Sequence, residues 1–191
     1  TNIVIGITDT GIDSDHPEVV GRIKHNYADP IDGIDNDNDG YIDNFSGWDT
    51  GADDNDPEVY GHHGNQVTGC ASINTDNEGD VAAPGFNTMI LPVKICNNSG
   101  FLIGSYEGIV YAADHGADII NCSWGGTGSF NQYHQDVVNY ATNNKGAVVV
   151  AAAGNSNNDS YFYPASYANV VSVGGTDEED DLAREPERDQ Q

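Results

Sequence analysis

Basic residues are scarce in this chain of 191 residues, which has six lysines and arginines against 31 aspartates and glutamates and a formal net charge of −25. Nucleic acids and anionic membranes repel such a surface, so the composition argues against both as partners. No apolar run approaches the roughly 20 residues that span a bilayer. The acidity favours bound cations, or a surface that stays hydrated in salty water.

Cysteine is also sparse. Cys70, Cys96 and Cys122 are odd in number and widely spaced, so we do not expect a disulfide framework. We predict that each is buried as a small apolar residue. The chain opens on a strand-like segment without a basic, apolar leader, so any signal peptide or pro-segment is expected to be absent from these residues.

Short apolar runs alternate with amphipathic stretches along the chain. The runs predicted as strands are residues 3–8, 89–95, 118–122, 147–153 and 170–173. The stretches predicted as helices are residues 66–73, 102–115 and 132–144. Near-continuous apolar strands suit a parallel sheet covered on both faces. The alternation therefore predicts a three-layer, doubly wound α/β fold with a mainly parallel sheet.

Two segments depart from that alternation. Residues 29–59 are crowded with Asp, Asn and Gly, and we predict a long structured insertion loop there. Residues 176–191 are charged and have no apolar stripe, so a disordered end is expected. The predicted organisation is one domain over residues 1–183, followed by an atypical tail over residues 184–191.

Three polar residues stand at the edges of predicted elements. Asp9 directly follows the first strand, where open α/β folds place their sites. His63 lies just before the predicted helix at residues 66–73 and has a ring that can take up a proton near neutral pH. Asn155 follows the 147–153 strand, where its amide can point at a developing negative oxygen. Taken alone, Asp9 and Asn155 would more often be turn residues, and His63 a surface-loop residue or a chance metal ligand.

Together, the three sites resemble the subtilase family of serine proteases, over residues 2 to about 183. Residues 9–13 (DTGID), followed by His-Pro at 16–17, are similar to the family's Asp motif. Residues 63–69 (HGNQVTG) are similar to its His motif, with Gln66 where a second histidine usually stands. The later matches to the family are residues 121–126 (NCSWGG), 152–155 (AAGN), 163–165 (YPA) and 169–175 (NVVSVGG).

This resemblance implies an acyl-transfer mechanism on polypeptide substrates. Asp9 would orient His63, His63 would act as general base, and Asn155 would stabilise the oxyanion. An extended substrate would lie against two segments, with part of a specificity pocket beside it. The residues implied for substrate binding are Ser123, Trp124 and Gly125 on one side, Asn98 and Gly100 on the other, and Ala152 and Gly154 in the pocket wall.

The family's nucleophilic serine has no counterpart here. In the family it follows the oxyanion asparagine by several dozen residues, in a Gly-Thr-Ser-Met-Ala type motif, whereas 36 residues follow Asn155 and their serines occupy turns or a strand. We therefore expect the catalytic domain to lack its C-terminal part, through truncation, a frame error near residue 183 or natural loss. The 191-residue polypeptide is expected to be inactive. An inactive homologue that binds peptides or calcium, or a purely calcium-binding structural module, remains an alternative.

The insertion loop carries alternating oxygen ligands at Asp35, Asp37 and Asp39, with Gly40 at the sixth position. That spacing is typical of the first part of an EF-hand-type calcium loop, although Ser46 stands where the bidentate glutamate belongs. The residues that could complete a Ca²⁺ shell are Asp32, Asp43 and Asp49. A solvated acidic loop, or an adaptation to salt, is the alternative.

The resemblance also implies a second calcium site. Glu18 stands where the family has a bidentate carboxylate after His-Pro, and the matching loop holds Asp76 with the carbonyls of Asn74 and Glu78. Zinc is not expected, because the cysteines are far apart and the histidines lack ligand spacing. By family habit we expect an extracellular monomer from which a pro-segment has been removed.

Overall fold

The main element of the fold is a parallel sheet. The computed structural model describes residues 3–77, 81–156, 158–177 and 179–181. Its strands are β1 (Ile3–Asp9), β2 (Trp48–Asp49), β3 (Thr88–Lys94), β4 (Ile119–Cys122), β5 (Gly126–Thr127), β6 (Val148–Ala152), β7 (Phe162–Tyr163) and β8 (Val170–Val173). Six of them form one sheet in the order β2-β3-β1-β4-β6-β8, with every neighbouring pair parallel. Strands β5 and β7 form a separate antiparallel pair.

Three α-helices connect these strands: α1 (His63–Ala71), α2 (Ser105–Asp114) and α3 (Gln132–Asn139). Helix α3 starts where the side chain of Asn131 accepts the N–H groups of Tyr133 and His134, which have no partner within the first turn. It continues directly into a π-helical segment, Tyr140–Asn144. No helix in the described part of the chain is long and apolar enough to cross a membrane.

Helices cover both faces of the sheet, because successive side chains of a strand point to opposite faces. Ile5 and Ile7 of β1 pack in one apolar cluster, against which Val67 and Ala71 of α1 also pack. Alternate residues of β3, β4 and β6 belong to a second cluster, which also contains four buried residues of α2 and Val137 of α3. The predicted three-layer α/β fold with a mainly parallel sheet is therefore confirmed.

The structure corrects several sequence-based boundaries. The insertion loop contains β2, which adds an edge strand to the sheet by pairing with β3; two residues are too few for strand periodicity to show. Helix α1 begins three residues earlier than predicted. Helix α2 begins three residues later, because Gly104 lies against the backbone of Thr50 and Leu102 forms a β-bridge with Cys96.

Two further expectations concern cysteines and the chain end. Cys96 and Cys122 are buried, but Cys70 is exposed on α1, so the prediction of burial was wrong for Cys70.

Near the end of the described residues, the Asp177 side chain accepts the N–H groups of Glu179 and Asp181, which closes a turn. The predicted disordered tail at residues 184–191 lies outside the described residues.

Candidate active site

Asp9 is the last residue of β1, at the carboxyl edge of the sheet. Strand β1 is flanked by β3 on one side and β4 on the other, so the strand order changes direction there. Such a switch point leaves a crevice at the carboxyl ends of the strands, where open α/β folds bind ligands. The Asp9 side chain is 2% exposed, and its Oδ1 accepts the N–H of Thr10 at 2.7 Å.

His63 begins helix α1 and faces Asp9. Its Nδ1 lies 2.8 Å from Asp9 Oδ1, while the His63 side chain is 55% exposed. A ring with its proton on Nδ1 donates to the carboxylate and keeps the lone pair of Nε2 for proton transfer. The second oxygen of Asp9, Oδ2, is buried and has no hydrogen-bond partner among the described residues. A buried carboxylate in this position can orient an accessible imidazole and leave its Nε2 free to accept a proton.

The close approach of two backbones holds this pair together. A Cβ on Gly64 would lie well under 3.0 Å from the carbonyl oxygen of Gly11, a separation that real Cβ atoms do not show. The N–H of Gly64 also donates to Thr10 Oγ1 at 3.0 Å. Glycine after His63 therefore lets α1 begin directly against the turn that follows Asp9.

The predicted substrate segment follows β4, beside β1. Asn121 Nδ2 donates to Ser123 Oγ at 2.9 Å, and Trp124 Nε1 donates to Thr8 Oγ1 at 2.9 Å. Gly125 lies against Phe162 and the carbonyl of Tyr163, where a Cβ would clash. The segment is thus fixed by side-chain contacts on both sides.

Asn155 lies at the carboxyl ends of the strands, as Asp9 does. It lines a cavity of about 320 Å³ that the predicted pocket residues share. The lining residues are Asn121, Ser123, Val150, Ala151, Ala152, Ala153, Gly154, Asn155, Val173, Gly174 and Gly175. The structure therefore brings four predicted site residues, Ser123, Ala152, Gly154 and Asn155, around one cavity.

The second predicted substrate segment, at Asn98 and Gly100, is a turn. The N–H of Gly100 donates to the carbonyl of Asn97 at 2.8 Å, with Gly100 at φ +79°. Gly100 packs against the ring of Tyr60, which precedes the His63 segment. This turn is therefore attached to the loop that leads into α1.

A sequence model of the subtilase family matches residues 1–189, nearly the whole chain. This chain belongs to the subtilase family. Its parallel sheet is thus that of a family of serine proteases.

Relatives of this subtilase include a thermophilic serine proteinase of Bacillus sp. (strain AK1), 39% identical over 181 residues that cover 94% of this chain and 39% of the relative. Thermitase of Thermoactinomyces vulgaris is 38% identical over 180 residues, which cover 92% of this chain and 56% of thermitase. The structure of the epidermin leader peptide processing serine protease of Staphylococcus aureus superposes with a TM-score of 0.70 at 25% identity. The match covers 95% of this chain and 48% of that protease. The chain thus spans about 40 to 60% of these relatives.

The cellular location of subtilases varies among the matching proteins. One is named as an extracellular basic protease, and two are named as intracellular serine proteases. The subtilase family thus includes proteins of both locations.

The insertion loop of this subtilase gathers three carboxylates. One oxygen of each of Asp29, Asp35 and Asp37 lies within 4.8 Å of the others, and Asp29 is fully buried. Asp29 accepts the N–H groups of Asn36 and Asn44, which fix its two oxygens. Clustered oxygens of this kind suit a hard cation such as Ca²⁺.

The other predicted ligands of that loop lie elsewhere. Asp39 Oδ2 is 2.8 Å from Nε2 of His115, and Asp43 accepts the N–H groups of Asp32 and Gly33. Asp49 forms a buried ion pair with Lys94. The structure therefore places Asp35 and Asp37 together with Asp29, and not with the rest of the predicted shell.

At the second predicted calcium site, the structure brings Glu18 into contact with residues 74–77. Both carboxylate oxygens of Glu18 accept Asn77 Nδ2, and the N–H of Asn74 donates to the carbonyl of Glu18. The Asn74 side chain bonds Arg22, Pro17 and Val20. Asp76 has a positive φ of 59° in the adjoining turn. Glu78 lies outside the described residues.

Sequence reasoning missed three residues that make contacts at or near the predicted sites: Asp29, Lys94 and Thr8. Asp29 stands outside the alternating ligand pattern, and only its burial beside Asp35 and Asp37 identifies it. Lys94 ends β3 with no polar neighbour to mark it as the partner of Asp49. Thr8 lies within an apolar strand, where a hydroxyl is easily taken for a core residue. The contact partners of Lys94 and Thr8 are distant in sequence.

Proposed function

We propose that this chain carries the general base, its orienting carboxylate and the oxyanion donor of a serine endopeptidase, and that the nucleophile is absent from these 191 residues. The observation that carries this proposal is the 2.8 Å contact between the exposed His63 ring and the buried Asp9 at the switch point of the sheet. Polypeptides are the proposed substrates.

Each residue has one task in the proposed reaction. His63 Nε2 takes the proton of the attacking hydroxyl, and the negative Asp9 stabilises the imidazolium that results. Asn155 donates its amide N–H to the oxyanion of the tetrahedral intermediate. An extended substrate pairs with the backbone at residues 123–125, beside the cavity at Asn155.

The serines near Asn155 do not support a nucleophilic role. Ser166 Oγ accepts the N–H of Phe162, and Ser172 lies inside β8. Among the described residues, no hydrogen bond joins a serine hydroxyl to His63. A hydroxyl without an adjacent base remains an ordinary polar group.

We expect the 191-residue polypeptide to show no labelling by a fluorophosphonate probe and no hydrolysis of a fluorogenic peptide library. Thermitase, treated in parallel, is the positive control for both assays. Labelling of any serine that an Asp9→Asn variant abolishes would overturn the proposed absence of a nucleophile. Peptide binding without hydrolysis would agree with the proposal but would not separate it from an inactive homologue.

Asp9→Asn is expected to move the proton of neutral His63 from Nδ1 to Nε2, because an asparagine amide can donate to Nδ1. The ¹⁵N chemical shifts of the His63 ring report this tautomer directly. Asp13→Asn, four residues further along the same turn, is the matched control and should leave the ring unchanged. Retention of the Nδ1–H tautomer in Asp9→Asn would mean that Asp9 does not orient His63.

We also propose a structural Ca²⁺ at Asp29, Asp35 and Asp37, with the extracellular location that such a site favours. The three carboxylates fit the ion, because each presents an oxygen within 4.8 Å of the others in a loop whose backbone already holds Asp29. Bound calcium would tie the insertion loop together by neutralising their mutual repulsion.

Calcium at one hundred times its dissociation constant is expected to stabilise the chain by about 2.7 kcal/mol. For a domain of this size, that corresponds to a rise of roughly 5–10 °C in the melting temperature. Asp37→Asn should abolish most of the rise, whereas Asp159→Asn, an exposed aspartate outside the cluster, should preserve it. Calorimetry without a binding heat at millimolar Ca²⁺ would refute the site.

A further inference from the structure

The hydroxyl of Thr8 is the polar side-chain group on the face of β1 opposite to Asp9. Thr8 is fully buried, and strands present successive side chains to opposite faces. Its Oγ1 donates to the carbonyl of Asn121 at 2.8 Å and accepts Trp124 Nε1–H at 2.9 Å. One hydroxyl thus joins β1 both to Asn121 of β4 and to Trp124 in the segment that follows β4.

This hydrogen bond places the Trp124 side chain, which belongs to the substrate segment, against an aromatic cavity. Its ring meets Tyr106 edge to face, with centroids 5.5 Å apart, and Tyr106 stacks on His134 at 3.6 Å. The cavity they line has a volume of about 390 Å³, enough for one large side chain. Gly125 and Tyr163 line it as well.

An indole can turn about two side-chain torsions, and a hydrogen bond from Nε1 removes that freedom. Trp124 is partly buried, so an unpaired N–H would also lose its hydration. The bond to Thr8 therefore fixes both the ring and the backbone that carries Ser123 and Gly125.

We propose that Thr8 is a positioning residue for the substrate segment: its hydroxyl locks the Trp124 indole and thereby sets the peptide-pairing backbone at residues 123–125 and the wall of the aromatic cavity. This inference rests on the proposed endopeptidase function, since it assigns the segment to substrate. Thr8 acts through Trp124 and does not contact substrate itself.

The two indole N–H signals of the ¹⁵N-labelled 191-residue chain test the lock. In Thr8→Val, which removes the hydroxyl at constant volume, the Trp124 signal should shift and exchange with solvent roughly tenfold faster. Thr8→Ser should restore it. The Trp48 N–H is buried without a hydrogen-bond partner among the described residues, so it serves as the internal reference and should not change.

Binding of the capped peptide Phe-Ala-Ala-Ala provides the second readout. Thr8→Val is expected to weaken it about five- to tenfold, and Trp124→Phe by a similar factor. The double variant should lose little more than either single variant, because both remove one interaction. Thr142→Val, which removes a hydroxyl bonded within its own helical segment, is the matched control.

Each outcome bears on a different claim. An unchanged Trp124 signal in Thr8→Val, or fully additive losses in the double variant, would overturn the positioning role. If the wild-type chain binds no peptide, the assignment of the segment to substrate fails, while the indole signals still decide whether Thr8 holds Trp124. Should Thr8→Val not fold, Thr8→Ala removes the same hydroxyl and provides the same comparison with Thr8→Ser.

Discussion

Gly64→Ala is expected to destabilise the chain by at least about 3 kcal/mol, roughly 6–12 °C in melting temperature. The new Cβ would overlap the carbonyl oxygen of Gly11, which belongs to the backbone and cannot rotate away. Relief requires that α1 move back from the turn after Asp9, and His63 moves with its helix. Denaturation followed by circular dichroism measures the loss, and the ¹⁵N shifts of His63 show whether its bond to Asp9 survives.

Gly69 provides a control for this prediction within the same helix. A Cβ at Gly69 would meet nothing within 4 Å. Gly69→Ala is therefore expected to stabilise the chain by about 0.5–1 kcal/mol, because alanine loses less conformational freedom in a helix. Equal stabilities of the two alanine variants would contradict the claim that backbone contact makes glycine necessary at position 64.

Lys94→Met is expected to cost about 3–5 kcal/mol, since it leaves the carboxylate of Asp49 buried without its counter-charge. The Lys94 and Asp49 side chains are 8% and 1% exposed, with Nζ 2.8 Å from Oδ2. Asp49 also accepts the N–H groups of Gly51 and Ala52, so it cannot turn towards solvent without breaking them. Urea denaturation measures the effect.

The charge state of Lys94 determines how that loss depends on pH. Burial alone would lower the pKa of Lys94, but its hydrogen bond and ion pair with Asp49 raise the pKa above the ordinary 10.5. A raised pKa gives stability that is complete below the unfolded value and disappears as pH rises through the folded one. The deficit of Lys94→Met should therefore be constant at neutral pH and shrink only above pH 10.5.

Two variants separate this buried pair from a general charge effect. Lys145→Met removes the partner of Asp114, but those side chains are 36% and 34% exposed, so the unfolding midpoint should change little. Adding Asp49→Asn to Lys94→Met should recover part of the loss, because it removes the uncompensated charge. A Lys94→Met variant no weaker than Lys145→Met would rule out a stabilising role for the buried pair.

The sheet could be predicted from the sequence because its strands are continuous apolar runs. Strands β1, β3, β4, β6 and β8 all lie within one or two residues of their predicted bounds. Strand β2 could not be predicted, since two residues carry no periodicity and their pairing depends on where β3 lies. The start of α2 was misplaced for a related reason: the contact of Gly104 with Thr50 comes from the insertion loop.

The candidate site was likewise predictable only in part from the sequence. Asp9, His63 and Asn155 could be found because each lies within three residues of a predicted element, in a motif that resembles the subtilase family. The alternating aspartates of the insertion loop were visible as ligands, but the pattern did not reveal which of them meet. Asp39 was assigned to the metal shell, whereas in the structure it pairs with His115.

The sequence by itself determined the family, the parallel sheet and the identities of the proposed base, carboxylate and oxyanion donor, because these depend on local runs and short motifs. The tertiary structure decided which distant groups pair. His115 and Asp39 are 76 residues apart, and Trp124 and Thr8 are 116 apart. Such pairs form only when packing of the sheet and helices brings their backbones together, and local sequence carries no record of that distance.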